Sequence, residues 1–234
     1  MNRIVVVTGA SSGYGEAIAR AFKKEGDIVI ATARTEAKLK SVSEEIGVDG
    51  YVVMDVTKPA DWVKLREHVM ERYGRIDILV NNAGGGVAIK ELTEQSIEEI
   101  DGAISLNLNG TIYGCREFAP IMKAQQSGTI INMSSVCARH CWSEWSVYAA
   151  AKAGVLNFSK GLYVEMRPHH VRVTCVIPAA AKTGFQSAAG LPESGNRLGT
   201  QDVAAMVVAV ANLPESVVTE EVTVWGIDQE VNPM

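Results

Sequence analysis

A chain of 234 residues, 47% apolar and 21% charged, has the length and composition of one large globular α/β domain. Its formal net charge of −5 leaves no basic footprint for a nucleic-acid backbone. Its longest apolar stretch, near residues 203–213, is far short of the roughly 20 residues that span a bilayer.

The first apolar run, residues 4–7, is too short for a signal-peptide core and reads as a buried strand. No partner is therefore expected in nucleic acid or membrane, and a cytoplasmic location is expected. A glycine turn follows, then a helix over 14–24, a strand over 28–32, a helix over 36–46, a strand over 51–54 and a helix over 60–73. A strand over 76–80 leads into one long helix, 97–123, and a strand over 129–132 into a second, 145–167. A strand over 171–177, a helix over 201–213 and a short strand over 221–225 complete the pattern. Continuous apolar strands alternating with helices predict an α/β fold: a Rossmann-type doubly wound sheet of about seven mainly parallel strands, with helices on both faces. No linker and no repeat divides the chain, so one dinucleotide-binding and catalytic domain, 1–234, is expected. Residues 182–199 hold no apolar period and are broken by Gly184, Gly190, Pro192, Gly195 and Gly199, which suggests a functional loop over a substrate.

The first turn reads Thr8-Gly9-Ala10-Ser11-Ser12-Gly13-Tyr14-Gly15. Glycines permit a sharp turn and close approach of a ligand, and the helix that follows offers unpaired N–H groups to phosphate. Tyr148 and Lys152 stand four residues apart, about one helical turn, so phenol and ammonium share a helix face. A cation there favours the ionised phenol and lowers its pKa, which suits proton exchange with an alcohol or carbonyl oxygen; Ser135, upstream, would hold that oxygen. The cysteines Cys115, Cys137, Cys141 and Cys175 form no disulfide framework. Cys137, His140 and Cys141 lack the second Cys/His pair of a structural zinc site, so no metal is expected.

In this order and spacing the motifs resemble the short-chain dehydrogenase/reductase family over essentially the whole chain. The resemblance rests on Thr8, Gly9, Gly13 and Gly15, on Asp55-Val56, on Asn81-Asn82-Ala83-Gly84, on Asn107-Leu108-Asn109-Gly110, and on Ser135, Tyr148 and Lys152. It implies that Tyr148 is the general acid/base, that Ser135 polarises the substrate oxygen, and that Lys152 binds the nicotinamide ribose. Asn107 would support a water linking Lys152 to solvent. The glycine turn, with Ser11, Ser12 and Tyr14, would hold the cofactor phosphates. Asp55 and Val56 would lie at adenine, Asn81, Ala83 and Gly84 along the adenosine ribose, and Pro178 and Thr183 at the nicotinamide. Asn82 is expected to hold neighbouring strands together. Ala179 stands where the family usually has glycine, so the loop after the sixth strand is expected to sit slightly differently.

An NAD site places an acidic residue after the second strand. Here Arg34 follows that strand, and its charge and planar donor fork suit a 2′-phosphate. NADP(H) is favoured, with NAD(H) possible. The substrate pocket is expected from Cys137, His140, Trp142, Trp145 and Phe185, with Arg139 or His140 as candidates for an anionic group and Gln186 beside them. The expected reaction interconverts a ketone or aldehyde and an alcohol on a small to medium polar molecule. An NAD(H)-preferring alcohol dehydrogenase, or a nucleotide-binding scaffold without turnover, are the alternatives. The long helices and the region 224–227 resemble the contacts by which family members form dimers and tetramers.

Overall fold

Ile-Val-Val-Val-Thr, strand β1 (Ile4–Thr8), is buried at every position, as a strand covered on both faces must be. Its side chains alternate. Val5 and Val7 join one apolar core with Ile18, Phe22 and Leu39, while Ile4 and Val6 join a second with Leu65, Phe118 and Met122. The computed structural model describes residues 2–85, 88–180 and 198–229. Within them β1 pairs with β2 (Ile28–Ala33) and β4 (Ile78–Asn81), and the sheet continues through β3 (Gly50–Val53), β5 (Gly128–Met133), β6 (Val171–Pro178) and β7 (Glu221–Val224). The order is β3-β2-β1-β4-β5-β6-β7, and all six pairings are parallel. The sheet is thus the seven-stranded, Rossmann-type α/β arrangement that the sequence predicts.

One core is covered by α1 (Gly13–Lys24), α2 (Glu36–Ile46) and α7 (Thr200–Ala211). The other is covered by α3 (Pro59–Tyr73), α5 (Gly110–Gln125) and much of α6 (Ser146–Met166). In α1 the buried residues Gly15, Ile18, Ala19 and Phe22 recur at helical spacing. On the opposite face Trp62 is 1% exposed and donates its indole N–H to the Val56 carbonyl at 2.9 Å. Gly114 makes room for it: a Cβ there would lie 2.6 Å from the indole. The chain reverses direction across the sheet between β1 and β4, and their carboxyl ends open a crevice there.

The long helix expected over 97–123 is interrupted. α4 (Ile97–Ile104), opened by a Ser96/Glu99 capping box, passes through a π-helical turn, Ser105–Asn109, before α5 begins. The expected strand over 76–80 begins only at Ile78, because the Asp77 carboxylate accepts the Ile4 N–H at 2.7 Å just before the ladder starts. Thr183, Phe185, Gln186 and nearly all of the expected loop over 182–199 lie outside the described residues.

Candidate active site

The crevice is a cleft of about 800 Å³. Gly9, Ser11, Ser12, Gly13 and Tyr14 form one wall. Gly9 and Gly13 have φ of 67° and 59°, the left-handed region that favours glycine. Gly15 lies behind them: a Cβ there would stand 2.3 Å from the Gly9 carbonyl oxygen, so only glycine lets helix and turn close. Ser12 precedes α1 without capping it through its side chain, which leaves the first-turn N–H groups to face the cleft. Thr8 joins this wall to the end of β4: its hydroxyl accepts from the Asn82 and Ala83 N–H groups at 2.9 and 3.0 Å.

At the far end the cleft is lined by Arg34, Thr35 and Lys38, with Met54 and Val56 opposite. Arg34 and Lys38 are exposed. Asp55 does not line the cleft with these residues. Its carboxylate accepts from the Thr57 N–H and hydroxyl at 3.0 and 2.8 Å. Burial raises its pKa, but those bonds and the charge of Arg34 outweigh burial and hold it below the usual carboxylate range. Of the two asparagines at the end of the fourth strand, only Asn81 departs from expectation. Asn81 turns into the sheet, donating to Asn132 Oδ1 at 2.9 Å and Cys115 Sγ at 3.3 Å. Asn82 lines the cleft and also ties β4 to β1, its amide donating to the Thr8 carbonyl at 2.8 Å. Ala83 and Gly84 line the cleft beside it.

Ser135, Tyr148 and Lys152 meet on the same wall. Ser135 leaves the end of β5, and Tyr148 and Lys152 lie in the first two turns of α6. Lys152 is 4% exposed and donates to the Met133 carbonyl at 3.1 Å; its Nζ lies 5.7 Å from the Tyr148 ring centroid. Burial pushes Lys152 down from its ordinary 10.5 to about 8. The expected lowering of the Tyr148 pKa by Lys152 is not what this geometry gives. Desolvation of the phenol dominates and raises its pKa, reinforced by Cys137 and only partly opposed by a hydrogen bond with Ser135. Asn107 is fully buried in the π-helical turn, where its Oδ1 accepts from the Gly85 N–H at 2.8 Å and its amide donates to Ala103 at 3.0 Å. Gly84 separates it from the lysine: a Cβ there would lie 2.9 Å from Asn107 Oδ1 and 3.2 Å from Lys152 Nζ.

Cys137, Trp142 and Trp145 line the cleft near Tyr148, and Trp145 meets the Tyr148 ring edge-on at 5.5 Å. His140 does not line it; its ring packs between Trp142 and Trp225 at 6.1 and 5.9 Å. Arg139 is engaged elsewhere, with Glu221 and with Thr223 Oγ1 at 3.2 Å. Pro178 lines the cleft. Ala179 is pinned on both sides, its N–H donating to Val224 at 2.9 Å and its carbonyl accepting from the Tyr14 hydroxyl at 3.1 Å. Its φ is not positive, so alanine replaces the expected glycine without backbone strain. Among the described residues no group of three or more His, Cys, Asp or Glu could hold a metal ion, and no helix is long and apolar enough to cross a membrane.

Residues 3–193 match the family model of the short chain dehydrogenases. The chain belongs to that family. An uncharacterized oxidoreductase of Staphylococcus aureus (strain N315) is 33% identical to this short-chain dehydrogenase over 225 residues, 95% of this chain and 96% of the relative. A serine dehydrogenase solved in closed form with NADP+ superposes with a TM-score of 0.93 at 30% identity, covering 99% of this chain and 98% of that one. An alcohol dehydrogenase from the archaeon Thermococcus sibiricus, complexed with 5-hydroxy-NADP, gives 0.90 at 28% identity, covering 99% and 100%.

This short-chain dehydrogenase also brings to the cleft residues that the motifs do not mark. Lys38 lies in the first turn of α2 and Arg34 in the bend before that helix, so no helical spacing pairs them in the sequence. Trp225 carried no local signal. It reaches the cleft because β7 pairs with β6 in the register Pro178↔Val224, some 50 residues away in the chain.

Proposed function

We propose that this short-chain dehydrogenase is an NADP(H)-dependent oxidoreductase that interconverts a ketone or aldehyde and its alcohol. The observation that carries the reading is the convergence of Ser135, Tyr148 and Lys152 on a cleft whose charged lining, among the described residues, is wholly cationic: Arg34, Lys38 and Lys152. The protein's net charge is −5, so this concentration of positive charge is local. A dinucleotide fits the site. The glycine turn presents unpaired N–H groups to a diphosphate, and Arg34 with Lys38 suits a 2′-phosphate better than the ribose diol that a carboxylate would hold.

A bound nicotinamide supplies or accepts the hydride. Ser135 donates a hydrogen bond to the substrate oxygen and fixes its position. Tyr148 passes its proton to that oxygen as the carbon–oxygen π bond breaks, leaving an alcohol; in the reverse direction it takes the proton back. Its raised pKa keeps it protonated at neutral pH, the form that reduction needs. Lys152 holds the ribose and provides positive charge where the phenolate forms. Asn107, braced by Gly85 and Ala103, keeps the neighbouring wall in place.

Tyr148→Phe tests the reading. Turnover of any carbonyl substrate should fall by about 10² or more, while NADPH binding, followed by fluorescence titration, persists. Near-normal turnover would refute the role of Tyr148. The same reading expects a cytoplasmic homo-oligomer, dimer or tetramer; Ile97 on α4 and Val164 on α6 are 67% and 68% exposed, which supports burial of these helices between copies. Gel filtration with light scattering measures that state.

A further inference from the structure

Three tryptophans from two stretches of the chain line the cleft that holds Ser135 and Tyr148: Trp142 and Trp145 from one, and Trp225 from the other. All three are partly accessible. The first two are set by a four-residue turn. The Trp145 N–H donates to the Trp142 carbonyl at 3.3 Å, and Glu144 within the turn has φ of 72°. A non-glycine residue in that region is strained and persists only where the surroundings hold it. The third is delivered by β7, whose register beside β6 is fixed by the Ala179–Val224 hydrogen bond at 2.9 Å. His140 wedges between Trp142 and Trp225, so the two walls support each other.

The charges around this end are equally informative. No carboxylate lines the cleft among the described residues, and Arg34 and Lys38 belong to its other end, beside Thr35 and Val56. Arg139, the guanidinium nearest in sequence, is spent on Glu221 and Thr223. Lys152 is buried against Met133 and Tyr148. Among the described residues, a substrate carboxylate brought here finds no guanidinium, only the Lys152 ammonium already donating to the Met133 carbonyl. A substrate ammonium meets that same cation and, among the described residues, no acid. Either charge loses hydration that this lining returns only in part. A neutral aromatic ring would instead find edge and face contacts with these rings in addition to the area it buries.

We propose that the substrate pocket selects neutral carbonyl compounds bearing an aromatic ring, or the corresponding aryl carbinols, over acids and amines of the same size. The inference rests on the carbonyl–alcohol reaction proposed above and replaces the polar substrate that the sequence suggested. In the forward step the carbonyl carbon would gain the hydride that a bound reduced nicotinamide supplies and the oxygen the Tyr148 proton, and Tyr148 would regain a proton from solvent, so atoms and electrons balance.

The test uses the purified full chain. NADPH oxidation is followed with benzaldehyde, acetophenone, 2-butanone, a phenyl-free 2-oxo acid and an aminoketone, and NADP+ reduction with 1-phenylethanol and L-serine. The aryl compounds should exceed the charged ones in kcat/KM by about tenfold or more. Trp225→Ala should lower the acetophenone-to-butanone ratio by about tenfold, and Trp225→Phe should restore most of it. If Trp225→Ala does not fold, Trp142→Leu replaces it. A preference for L-serine or the 2-oxo acid, or an equal loss on both ketones in the variant, would overturn the inference. Benzamide, which is not reduced, separates this failure from failure of the reaction itself: it should quench tryptophan fluorescence in the NADP+ complex of both wild type and Tyr148→Phe. Benzamide binding without turnover of any carbonyl would refute the reaction and leave the aromatic pocket standing. Turnover with neither aryl preference nor benzamide binding would refute the pocket alone.

Discussion

Replacing Lys152 by methionine should remove activity and yet make the cofactor-free protein more stable at neutral pH. Lys152 is 4% exposed, and burial lowers its pKa from 10.5 to about 8. That interval corresponds to about 3 kcal/mol spent on holding the ammonium in the folded state. Methionine has similar length and no charge to desolvate, but it abandons the Met133 carbonyl, which costs about 1 kcal/mol. The net gain expected at pH 7 is about 2 kcal/mol, or roughly 4–8 °C in Tm for a chain of this size. The pH dependence has a definite sign. Between about pH 8 and 10.5 the unfolded chain binds more protons at this site than the folded one, so wild-type stability from this group rises with pH across that window. The advantage of Lys152→Met is therefore full below about pH 8, fades above it by about 1.4 kcal/mol per pH unit, and reverses near pH 9.5. Paired urea denaturations of the two proteins at pH 7 and pH 10, read by circular dichroism, measure the difference directly. A variant less stable than wild type at pH 7, or a gap that does not change with pH, would refute the reasoning.

The cofactor end makes a separate prediction. Arg34→Ala and Lys38→Ala should each raise KM for NADPH by about tenfold while leaving KM for NADH within about twofold, measured by steady-state kinetics. Equal losses for both cofactors would mean that these cations do not read a 2′-phosphate. At the phosphate turn, Gly15→Ala forces a Cβ to 2.3 Å from the Gly9 oxygen and 2.5 Å from Asn82 Nδ2. The expected cost is about 1–3 kcal/mol in a thermal melt, together with loss of NADPH binding by titration. Trp62→Ala, on the far side of the sheet, should cost about 3–5 kcal/mol without changing the NADPH-to-NADH ratio.

The sheet could be read in the sequence because β1 and β2 are nearly continuous apolar runs and β5 and β6 mostly apolar ones, as strands covered on both faces must be, and the glycine turn marked where the first of them meets a helix. Features that depend on what lies opposite a residue in space were not readable. The π-helical turn at Ser105–Asn109 escapes helical periodicity because what stabilises Asn107 there is Gly85, in another loop. The roles of Asn81 and Asn82 follow from which face each presents at the end of β4, set by the pairing of Asn81 with Asn132. Spacing placed Tyr148 and Lys152 on one helix face, but the direction of their pKa shifts follows from burial, a tertiary property.

Every strand pairing in this sheet is parallel, so no hairpin closes any of them. The central contact between β1 and the start of β4 joins groups 73 residues apart. Loop-closure entropy must be met before such pairings give anything back, which places this chain among the slow-folding topologies. The order of synthesis adds a second delay. Gly9 and Tyr14 are made before Ser135 and Tyr148, and Trp225 after all four. A growing chain therefore holds the glycine turn long before Trp225 can join it in the cleft, and among the described strands β7 is the last to be added.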